Sequence, residues 1–271
     1  MNVIEIRNLT RDYGEGRGIF DISFDVGEGE VFGFLGPNGA GKTTTIRHLM
    51  GFIKSKSGTC SIDGKNCWTE RSKIQRKLGY IPGEINFFDD MTGPEFLKFT
   101  AKYRGLRDYG RMNEMLQRFD LNPKGKINKM SKGMKQKISI VSAFMHDPDI
   151  LILDEPTSGL DPLMQNRFLE LIAEEKKRGK TILMSSHIFN EVEHACHRIG
   201  IMNKGKLVAV DTTDALREKH VHSYTVTLDT EANAIAFAKD FSGKRDGLRV
   251  IVSTKHSLEE TFLEYYGGEK S

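Results

Sequence analysis

A glycine-rich segment that ends in a lysine and two threonines is the part of the sequence best suited to chemistry. Residues 36–44 read Gly-Pro-Asn-Gly-Ala-Gly-Lys-Thr-Thr and fit the pattern G-x-x-x-x-G-K-[ST]. Gly39 and Gly41 allow the main chain to curl, so that successive N–H groups point at one anion. Lys42 would bring positive charge to the β- and γ-phosphates of a nucleotide, and the Thr43 hydroxyl would bind Mg²⁺. The residues predicted to bind nucleotide are Gly36, Pro37, Asn38, Gly39, Ala40, Gly41, Lys42, Thr43 and Thr44.

Two acidic residues and a histidine come after apolar runs that read as buried strands. The run at 150–153 leads into Asp154 and Glu155, and the run at 181–185 leads to His187. The carboxyl ends of strands form the edge at which α/β folds bind ligands. Asp154 is predicted to hold the water shell of a metal ion, and Glu155 to orient or deprotonate the water that attacks the γ-phosphate. His187 would hydrogen-bond around that phosphate; a solvated strand end and a structural histidine are the alternatives.

The elements that must position these groups alternate between strand and helix. The apolar run at 31–35 reads as a strand buried on both faces, and the glycine-rich segment and a helix at 42–50 follow it. This context makes a glycine-rich turn without a ligand the weaker interpretation. Repeated alternation predicts a layered α/β core. A polar helical stretch at about 85–147 predicts an insertion into that core, and residues 221–271 predict a small C-terminal extension of strands and helices.

The composition excludes several classes of protein. The chain has 271 residues, of which 38% are hydrophobic and 28% charged, and its formal net charge of +3 gives no bulk attraction to nucleic acid or anionic lipid. Three cysteines are too few and too scattered for a disulfide framework, which favours a reducing cytoplasm. The N-terminus lacks the layout of a signal peptide, and no apolar run approaches the ~18–20 residues of a membrane helix. We therefore expect a cytoplasmic protein that does not span a bilayer by itself.

These residues resemble those of the nucleotide-binding subunits of ATP-binding cassette (ABC) transporters. Residues 36–44 match the Walker A motif of that family. Residues 150–161, Ile-Leu-Ile-Leu-Asp-Glu-Pro-Thr-Ser-Gly-Leu-Asp, are similar to its Walker B motif and D-loop. His187 stands at the position of the family's switch histidine. Tyr13 falls where the family stacks an aromatic ring on adenine, a contact that a single ring can make.

A serine and a glycine remain in a segment that is similar to the family's LSGGQ signature. Residues 130–136 read Met-Ser-Lys-Gly-Met-Lys-Gln and retain Ser131 and Gly133. In the family this segment caps the γ-phosphate of ATP held by the other subunit, so the resemblance implies that role for both residues. Lysines crowd the start of the predicted helix, which the helix dipole disfavours and an incoming triphosphate would offset; a solvated basic loop is the alternative. These lysines are Lys124, Lys126, Lys129, Lys132 and Lys135.

The Q-loop is where the sequence departs furthest from the family. Gly83 stands where a glutamine that contacts the metal is expected, and either Glu84, shifted by one residue, or water would take its place. The Tyr-Ile-Pro-Gly lead-in at 80–83, the altered signature and the chain length look closest to bacterial exporter ATPases of the ABC-2 type. The helical closing segment at 257–267 resembles the ending of the same group.

The resemblance covers about residues 3–215 and implies a P-loop NTPase fold of the α/β class. It implies a mixed sheet with an antiparallel N-terminal part and an inserted helical subdomain, with the ATPase domain at residues 1–220. ATP and Mg²⁺ would be the cofactors, and Lys42, Glu155 and His187 the catalytic residues. Two copies, or one copy and a related ATPase, would dimerise head to tail around two ATP molecules. Closing of this dimer would drive a separate polytopic permease from the cytoplasmic face of the cell membrane.

Two other functions remain open from the sequence. A non-transport ABC-type ATPase that acts on ribosomes or DNA would be expected to have tandem cassettes, a long coiled-coil insertion or zinc-binding cysteines, which the sequence lacks. A nucleotide-gated regulatory module with little hydrolysis is motivated by the unusual Q-loop. We expect no nucleic-acid partner, because the lysine-rich segment has no interleaved aromatic residues for base stacking.

Overall fold

The computed structural model of the protein describes residues 1–88, 90–218 and 221–255. The chain divides into two compact units, Met1–Val210 and Asp211–Ser271. This division lies before the predicted boundary at residue 220, because the helix that follows residue 212 groups with the C-terminal unit. The predicted closing segment at 257–267 lies outside the described residues. Within the described ranges, none of the helices combines the length and the apolar character needed to cross a membrane.

Strands and helices alternate along the chain as the sequence predicts. In chain order the strands are β1 (Asn2–Asp12), β2 (Gly18–Gly27), β3 (Val31–Leu35), β4 (Ser57–Ile62), β5 (Lys65–Asn66), β6 (Leu78–Ile81), β7 (Ile150–Asp154), β8 (Thr181–Ser186), β9 (Arg198–Asn203), β10 (Lys206–Thr212), β11 (Val221–Thr227), β12 (Lys244–Asp246) and β13 (Arg249–Lys255). The helices are α1 (Lys42–Leu49), α2 (Arg71–Lys77), α3 (Gly93–Tyr103), α4 (Gly110–Arg118), α5 (Lys132–Phe144), α6 (Pro162–Lys177), α7 (Phe189–Ala195), α8 (Thr213–Glu218) and α9 (Glu231–Asp240).

A largely parallel sheet forms the core of the N-terminal unit. Its strand order in the described residues is β10-β9-β3-β8-β7-β6, and β3 pairs in parallel with both β8 and β9. Strands β3 and β7 are buried along their whole length, as their uninterrupted apolar runs predict. Helix α1 packs against β7, and α7 packs against β3 and β8. This arrangement places the carboxyl ends of β3, β8 and β7 side by side at one edge of the sheet.

The antiparallel part of the predicted mixed sheet forms a sheet of its own. Strand β1 pairs antiparallel with β2 and with β4, in the order β2-β1-β4-β5. One cluster of buried side chains joins this sheet to the parallel one. Within it, Phe24 of β2 stacks on Phe32 of β3 with ring centroids 5.0 Å apart. The two sheets therefore share one hydrophobic core.

Helices α3, α4 and α5 occupy the predicted insertion. Helix α3 begins with a capping box, in which Thr92 and Glu95 satisfy each other's main-chain N–H groups. Ser131 opens α5, as the sequence predicts, and its hydroxyl accepts a hydrogen bond from the N–H group of Met134 at 3.2 Å. Helices α3 and α4 pack against α5, which itself packs against β6. Helix α5 is therefore the element that attaches this helical region to the parallel sheet.

The C-terminal unit contains a small antiparallel sheet. Strand β13 pairs with β11 on one side and with β12 on the other. Helix α9 covers the sheet through Ala234, which packs with Val250 and Val252. The described part of the predicted extension at 221–271 thus contains both strands and a helix.

Candidate active site

The registers of three neighbouring strands bring the predicted catalytic segments together. Leu35 at the end of β3 is level with Ser186 at the end of β8. Ser185, the preceding residue of β8, is in turn level with Asp154 at the end of β7. The glycine-rich loop, Glu155 and His187 are the next residues of these three strands. The pairing of the strands thus gathers, at one edge, the glycine-rich loop and two groups that lie more than a hundred residues after it in the chain.

The glycine-rich loop ends in a helix N-terminus that is open to an anion. Gly41 has a φ of 106°, a left-handed conformation that favours glycine, and it precedes α1 without a side-chain cap. Because α1 follows the loop directly, its free N–H groups and the positive end of its dipole are at the loop. The first turn of α1 contains no acidic residue that would offset this positive charge. Hydrogen bonds from Ala40 N–H to Pro37 O and from Gly205 N–H to Ala40 O hold the loop in shape. The loop has the geometry of a phosphate cradle.

Lys42 is almost completely buried under this loop. Its side chain is 4% exposed, and its Nζ donates to the carbonyl oxygens of Gly36 and Pro37. The same nitrogen lies 3.4 Å from Oε1 of Glu155. Burial lowers the pKa of Lys42, while the nearby carboxylates of Glu155 and Asp154 oppose that shift by favouring the charged ammonium. The positive charge is therefore fixed at the loop that a polyphosphate would enter.

Glu155 lies between the lysine and the histidine. Its Oε2 is 3.3 Å from Nδ1 of His187, and its Oε1 is 3.4 Å from Nζ of Lys42. Its φ of 48° is left-handed, an uncommon conformation for a residue with a side chain and one that is enriched at active sites. The N–H group of Glu155 donates to the carbonyl oxygen and the hydroxyl of Ser185, which hold this conformation. The carboxylate is placed to accept a proton beside the phosphate loop.

Asp154 has a buried carboxylate with one oxygen available to a ligand. Ser185 Oγ donates to Oδ1 at 2.5 Å, whereas Oδ2 has no hydrogen-bond partner among the described residues. Burial raises the pKa of Asp154, and the hydrogen bond from the hydroxyl of Ser185 opposes that shift. An orphaned buried oxygen is costly unless a ligand satisfies it.

A hydrated Mg²⁺ ion fits this carboxylate and the neighbouring Thr43 hydroxyl. Magnesium in nucleotide sites is held by one or two protein oxygens and keeps several waters. In the part of the chain that the structure describes, no three His, Cys, Asp or Glu side chains converge on a metal site. The remaining ligands of the ion would therefore come from water and from the phosphates of the nucleotide.

The main chain of Gly83 lies against the same oxygen of Asp154. A Cβ atom at position 83 would be 2.8 Å from Oδ2, which is closer than ordinary van der Waals contact. The side chain of Glu84 is 81% exposed, and its Oε2 is 3.7 Å from a guanidinium nitrogen of Arg47. Of the two predicted replacements for the Q-loop glutamine, Glu84 is therefore engaged by Arg47, and this favours water.

We expect the substitution Gly83→Ala to displace the carboxylate of Asp154 and to weaken Mg²⁺ binding. The added methyl group does not fit beside Oδ2, because the carboxylate is buried and held by Ser185 through Oδ1. The Mg²⁺ concentration for half-maximal ATP hydrolysis should rise about tenfold, as expected when a metal ligand loses its orientation. Titration with Mg²⁺ at fixed ATP measures this effect. The control, Glu84→Ala, should leave the Mg²⁺ dependence unchanged, and a shift in the control alone would contradict this assignment.

Of the predicted nucleotide-binding residues, Tyr13 and residues 37–44 line a cleft of about 480 Å³, a volume typical of small-molecule sites, and Gly36 is not part of this lining. Tyr13 contributes to the lining with a half-exposed ring, and the guanidinium of Arg11 lies 5.2 Å from the ring centroid. A half-exposed aromatic ring beside a phosphate loop suits stacking on a base. The lining consists of Tyr13, residues 16–18, residues 37–44, Glu155, Lys204 and Gly205.

The start of α5 lies away from this cleft. Ser131 and Gly133, both within the described residues, stand outside the lining. Gly133 instead approaches the main chain of Gly159 so closely that a Cβ atom on it would be 2.8 Å from the carbonyl oxygen. In the described residues, Ser131 and Gly133 therefore do not contribute to the cleft beside the glycine-rich loop of their own chain.

Two contributions to the site were not predicted from the sequence. Ser185 binds both the carboxylate of Asp154 and the N–H group of Glu155, and its sequence signal is a polar residue inside an apolar strand beside His187. The turn at 204–205 is recognisable locally from its Lys-Gly dipeptide. Its contact with the glycine-rich loop depends on how distant strands pair, which has no local signal.

Comparison with known proteins gives consistent results. The family model described as ABC transporter matches residues 19–158. The bacitracin transport ATP-binding protein BcrA of Bacillus licheniformis is 35% identical over 274 residues, which cover 97% of this chain and 90% of that protein. The linearmycin resistance ATP-binding protein LnrL of Bacillus subtilis (strain 168) is 39% identical over 216 residues, which cover 78% of this chain and 69% of that protein.

A solved structure described as that of an ATP-binding subunit of an ABC transporter has a TM-score of 0.72 and 33% identity, over 80% of this chain and 92% of that one. These matches confirm the predicted fold class, and they give no support to the two alternative functions. The range matched by the family model includes the glycine-rich loop, the start of α5, Asp154 and Glu155. The chain belongs to the ABC transporter family, as an ATP-binding subunit that hydrolyses ATP.

Proposed function

We propose that this chain powers an exporter and that it works as a head-to-tail dimer, with a second copy or with a related ATPase. ATP is held between the 36–44 loop of one subunit and Ser131 and Gly133 of the other. The proposal rests on the observation that the cleft of one chain contains only some of the residues predicted to bind ATP. Lys42 and Glu155 meet at the cleft, 3.4 Å apart, while Ser131 lies outside it. Ser131 and Gly133 of a second subunit therefore complete the site at the cleft of the first subunit.

Within each site the residues of the chain have distinct tasks in hydrolysis. Lys42 neutralises phosphate charge as it develops in the transition state. Glu155 orients the attacking water and accepts its proton, and His187 hydrogen-bonds to the γ-phosphate. Thr43 and Asp154 would hold Mg²⁺, which would supply further neutralisation of the phosphate charge.

The membrane partner that we propose is a separate polytopic permease, reached from the cytoplasmic face of the membrane. Relatives named for bacitracin transport and linearmycin resistance support an export role. The helical insertion presents exposed aromatic side chains, among them Phe88, Phe99 and Tyr103, and the rings of Phe88 and Phe99 lie 6.0 Å apart. Exposed apolar patches of this kind are typical of protein contact sites. Phe87, next to Phe88, packs against Phe96 of α3 with ring centroids 4.7 Å apart, and this region is the surface proposed for the permease.

Mixing two inactive variants tests whether the site is shared between subunits. Lys42→Ala disables the phosphate loop, and Ser131→Arg blocks the start of α5 with a large side chain. We expect each variant alone to lose ATP hydrolysis. In a mixed dimer both changes fall on one site and the other site is intact, so an equal mixture should regain up to about a quarter of the activity. Phosphate release by the purified proteins, alone and mixed, is the measurement.

The control for this experiment carries both substitutions on one chain. Mixed with Lys42→Ala, the double variant leaves no dimer with an intact site, so no activity should return. Recovery with the double variant, or no recovery when the single variants are mixed at concentrations where they associate, would contradict a shared site formed by two copies.

A further inference from the structure

A buried carboxylate on α7 connects two loops of the active site. Glu191 is 4% exposed, and each of its two oxygens accepts one hydrogen bond. Thr157 Oγ1 donates to Oε1 at 2.6 Å, and Ser186 Oγ donates to Oε2 at 2.7 Å. Both donors are themselves buried. Glu191 was not among the predicted site residues.

The two hydroxyl groups belong to the loops that carry the proposed catalytic residues. Thr157 lies two residues after Glu155, and Ser186 immediately precedes His187. The N–H group of Ile188 donates to Ser186 Oγ at 2.9 Å, so the same serine also fixes the residue after His187. The carboxylate of Glu191 therefore holds, through one hydrogen bond each, the main chain on which Glu155 and His187 stand.

The far side of the segment 156–159 is fixed by another element. Gln136 Nε2 of α5 donates to the carbonyl oxygen of Pro156 at 2.6 Å. Lys132 Nζ, also of α5, donates to Ser158 Oγ at 2.8 Å. Helix α5 thus holds the segment from one side, and Glu191 ties it to the loop of His187 on the other.

A carboxylate is an expensive group to bury for packing alone. A charge that is removed from water loses much of its solvation free energy, and apolar side chains of similar size fill such positions at lower cost. Glu191 lies in the first turn of α7, where the helix dipole favours a negative charge, but that position alone does not require burial. What the carboxylate adds is a pair of oxygens that accept bonds from two loops at once.

We propose that Glu191 is a positioning residue for ATP hydrolysis. It keeps the carboxylate of Glu155 and the imidazole of His187 in a fixed relation, 3.3 Å apart, while the nucleotide is bound by other residues. This inference rests on the roles proposed for Glu155 and His187. It assigns to Glu191 an effect on the chemical step and none on the affinity for ATP.

The substitution Glu191→Ala tests the proposal by separating kcat from KM. Loss of both hydrogen bonds lets Glu155 and His187 move by a fraction of an ångström or more, and kcat should fall about a hundredfold, as misplaced catalytic groups do. The KM for ATP, and binding of a fluorescent ATP analogue, should stay within about twofold, because the groups that bind nucleotide are untouched. Glu191→Gln keeps the shape and one acceptor, and its kcat should lie between those of wild type and alanine variant.

Three controls make the experiment decisive. Asn190→Ala changes an exposed neighbour on the same helix and should leave kcat unchanged. Thr157→Val combined with Glu191→Ala should lower kcat no further than Glu191→Ala alone, because both remove the same bond. Glu155→Gln, in the same assay, tests the proposed function itself.

The outcomes separate failure of this inference from failure of the proposed function. If Glu155→Gln abolishes hydrolysis while Glu191→Ala folds and retains wild-type kcat, the inference is wrong and the role of Glu155 stands. A rise in KM at unchanged kcat, or fully additive losses with Thr157→Val, also contradicts the inference. If the alanine variant does not fold, Glu191→Gln and Ser186→Ala are measured separately in its place. Wild-type kcat in both of these variants would reject the proposal. Unchanged hydrolysis in Glu155→Gln would instead reject the proposed function.

Discussion

The substitution Glu155→Gln is expected to abolish ATP hydrolysis while ATP binding persists. Glutamine keeps the shape of the side chain but cannot accept a proton from water, and loss of a general base lowers kcat by about a thousandfold. The carboxylate lies 3.3 Å from Nδ1 of His187 and 3.4 Å from Nζ of Lys42, so the neutral amide also removes a charge from the centre of the site. Phosphate release gives the rate, and calorimetry with ATP gives the affinity.

The same variant should accumulate as a dimer when ATP is present, because the ATP-bound dimer is expected to open only after hydrolysis. Light scattering after gel filtration in Mg²⁺-ATP measures this directly. The matched control is Glu170→Gln, which makes the same chemical change at an exposed glutamate on α6 that is not part of the lining of the cleft. The control should hydrolyse ATP at the wild-type rate. Wild-type hydrolysis in Glu155→Gln would remove Glu155 from the proposed role.

The sequence predicts the parts of the site that depend on local pattern and on the geometry of parallel strands. An apolar run followed by a glycine-rich loop and a helix predicts β3 and α1 nearly to the residue. The carboxylates at 154–155 and His187 follow runs of the same kind. Because the carboxyl ends of parallel strands meet at one edge, these groups are predicted to lie together without knowledge of the strand order. The registers of β3, β8 and β7 then determine which atoms come within reach.

The parts that the sequence does not predict depend on contacts between distant residues. In the sequence, Glu191 is indistinguishable from an ordinary polar residue of a short helix. Its role depends on the hydrogen bonds from Thr157 and Ser186, which only the folded structure shows. The preference for water over Glu84 at the Q-loop position rests on an ion pair with Arg47, which lies on a different element. The short strand β6 likewise depends on its pairing partner β7 rather than on a local pattern.

The substitution Lys42→Ala is expected to remove most of the affinity for ATP. The ammonium group is buried, is held by the carbonyl oxygens of Gly36 and Pro37, and faces the loop that receives the phosphates. Its removal takes away charge-assisted hydrogen bonds to the β- and γ-phosphates. It also leaves the carboxylates of Glu155 and Asp154 to repel the triphosphate. ATP affinity should fall about a hundredfold, which corresponds to about 2.8 kcal/mol.

Calorimetry with saturating Mg²⁺-ATP measures this loss, and the chain offers a matched control at the opposite edge of the same sheet. Lys180 immediately precedes β8, is 7% exposed, and its Nζ lies 2.9 Å from Asp149 and 3.3 Å from Asp147. Lys180→Ala also deletes a buried ammonium group, so it should destabilise the fold while ATP binding persists. Loss of binding only in Lys42→Ala would show that the effect arises at the phosphate loop. Equal binding by both variants would mean that the loop around Lys42 does not hold the nucleotide, and the proposed mechanism would fail with it.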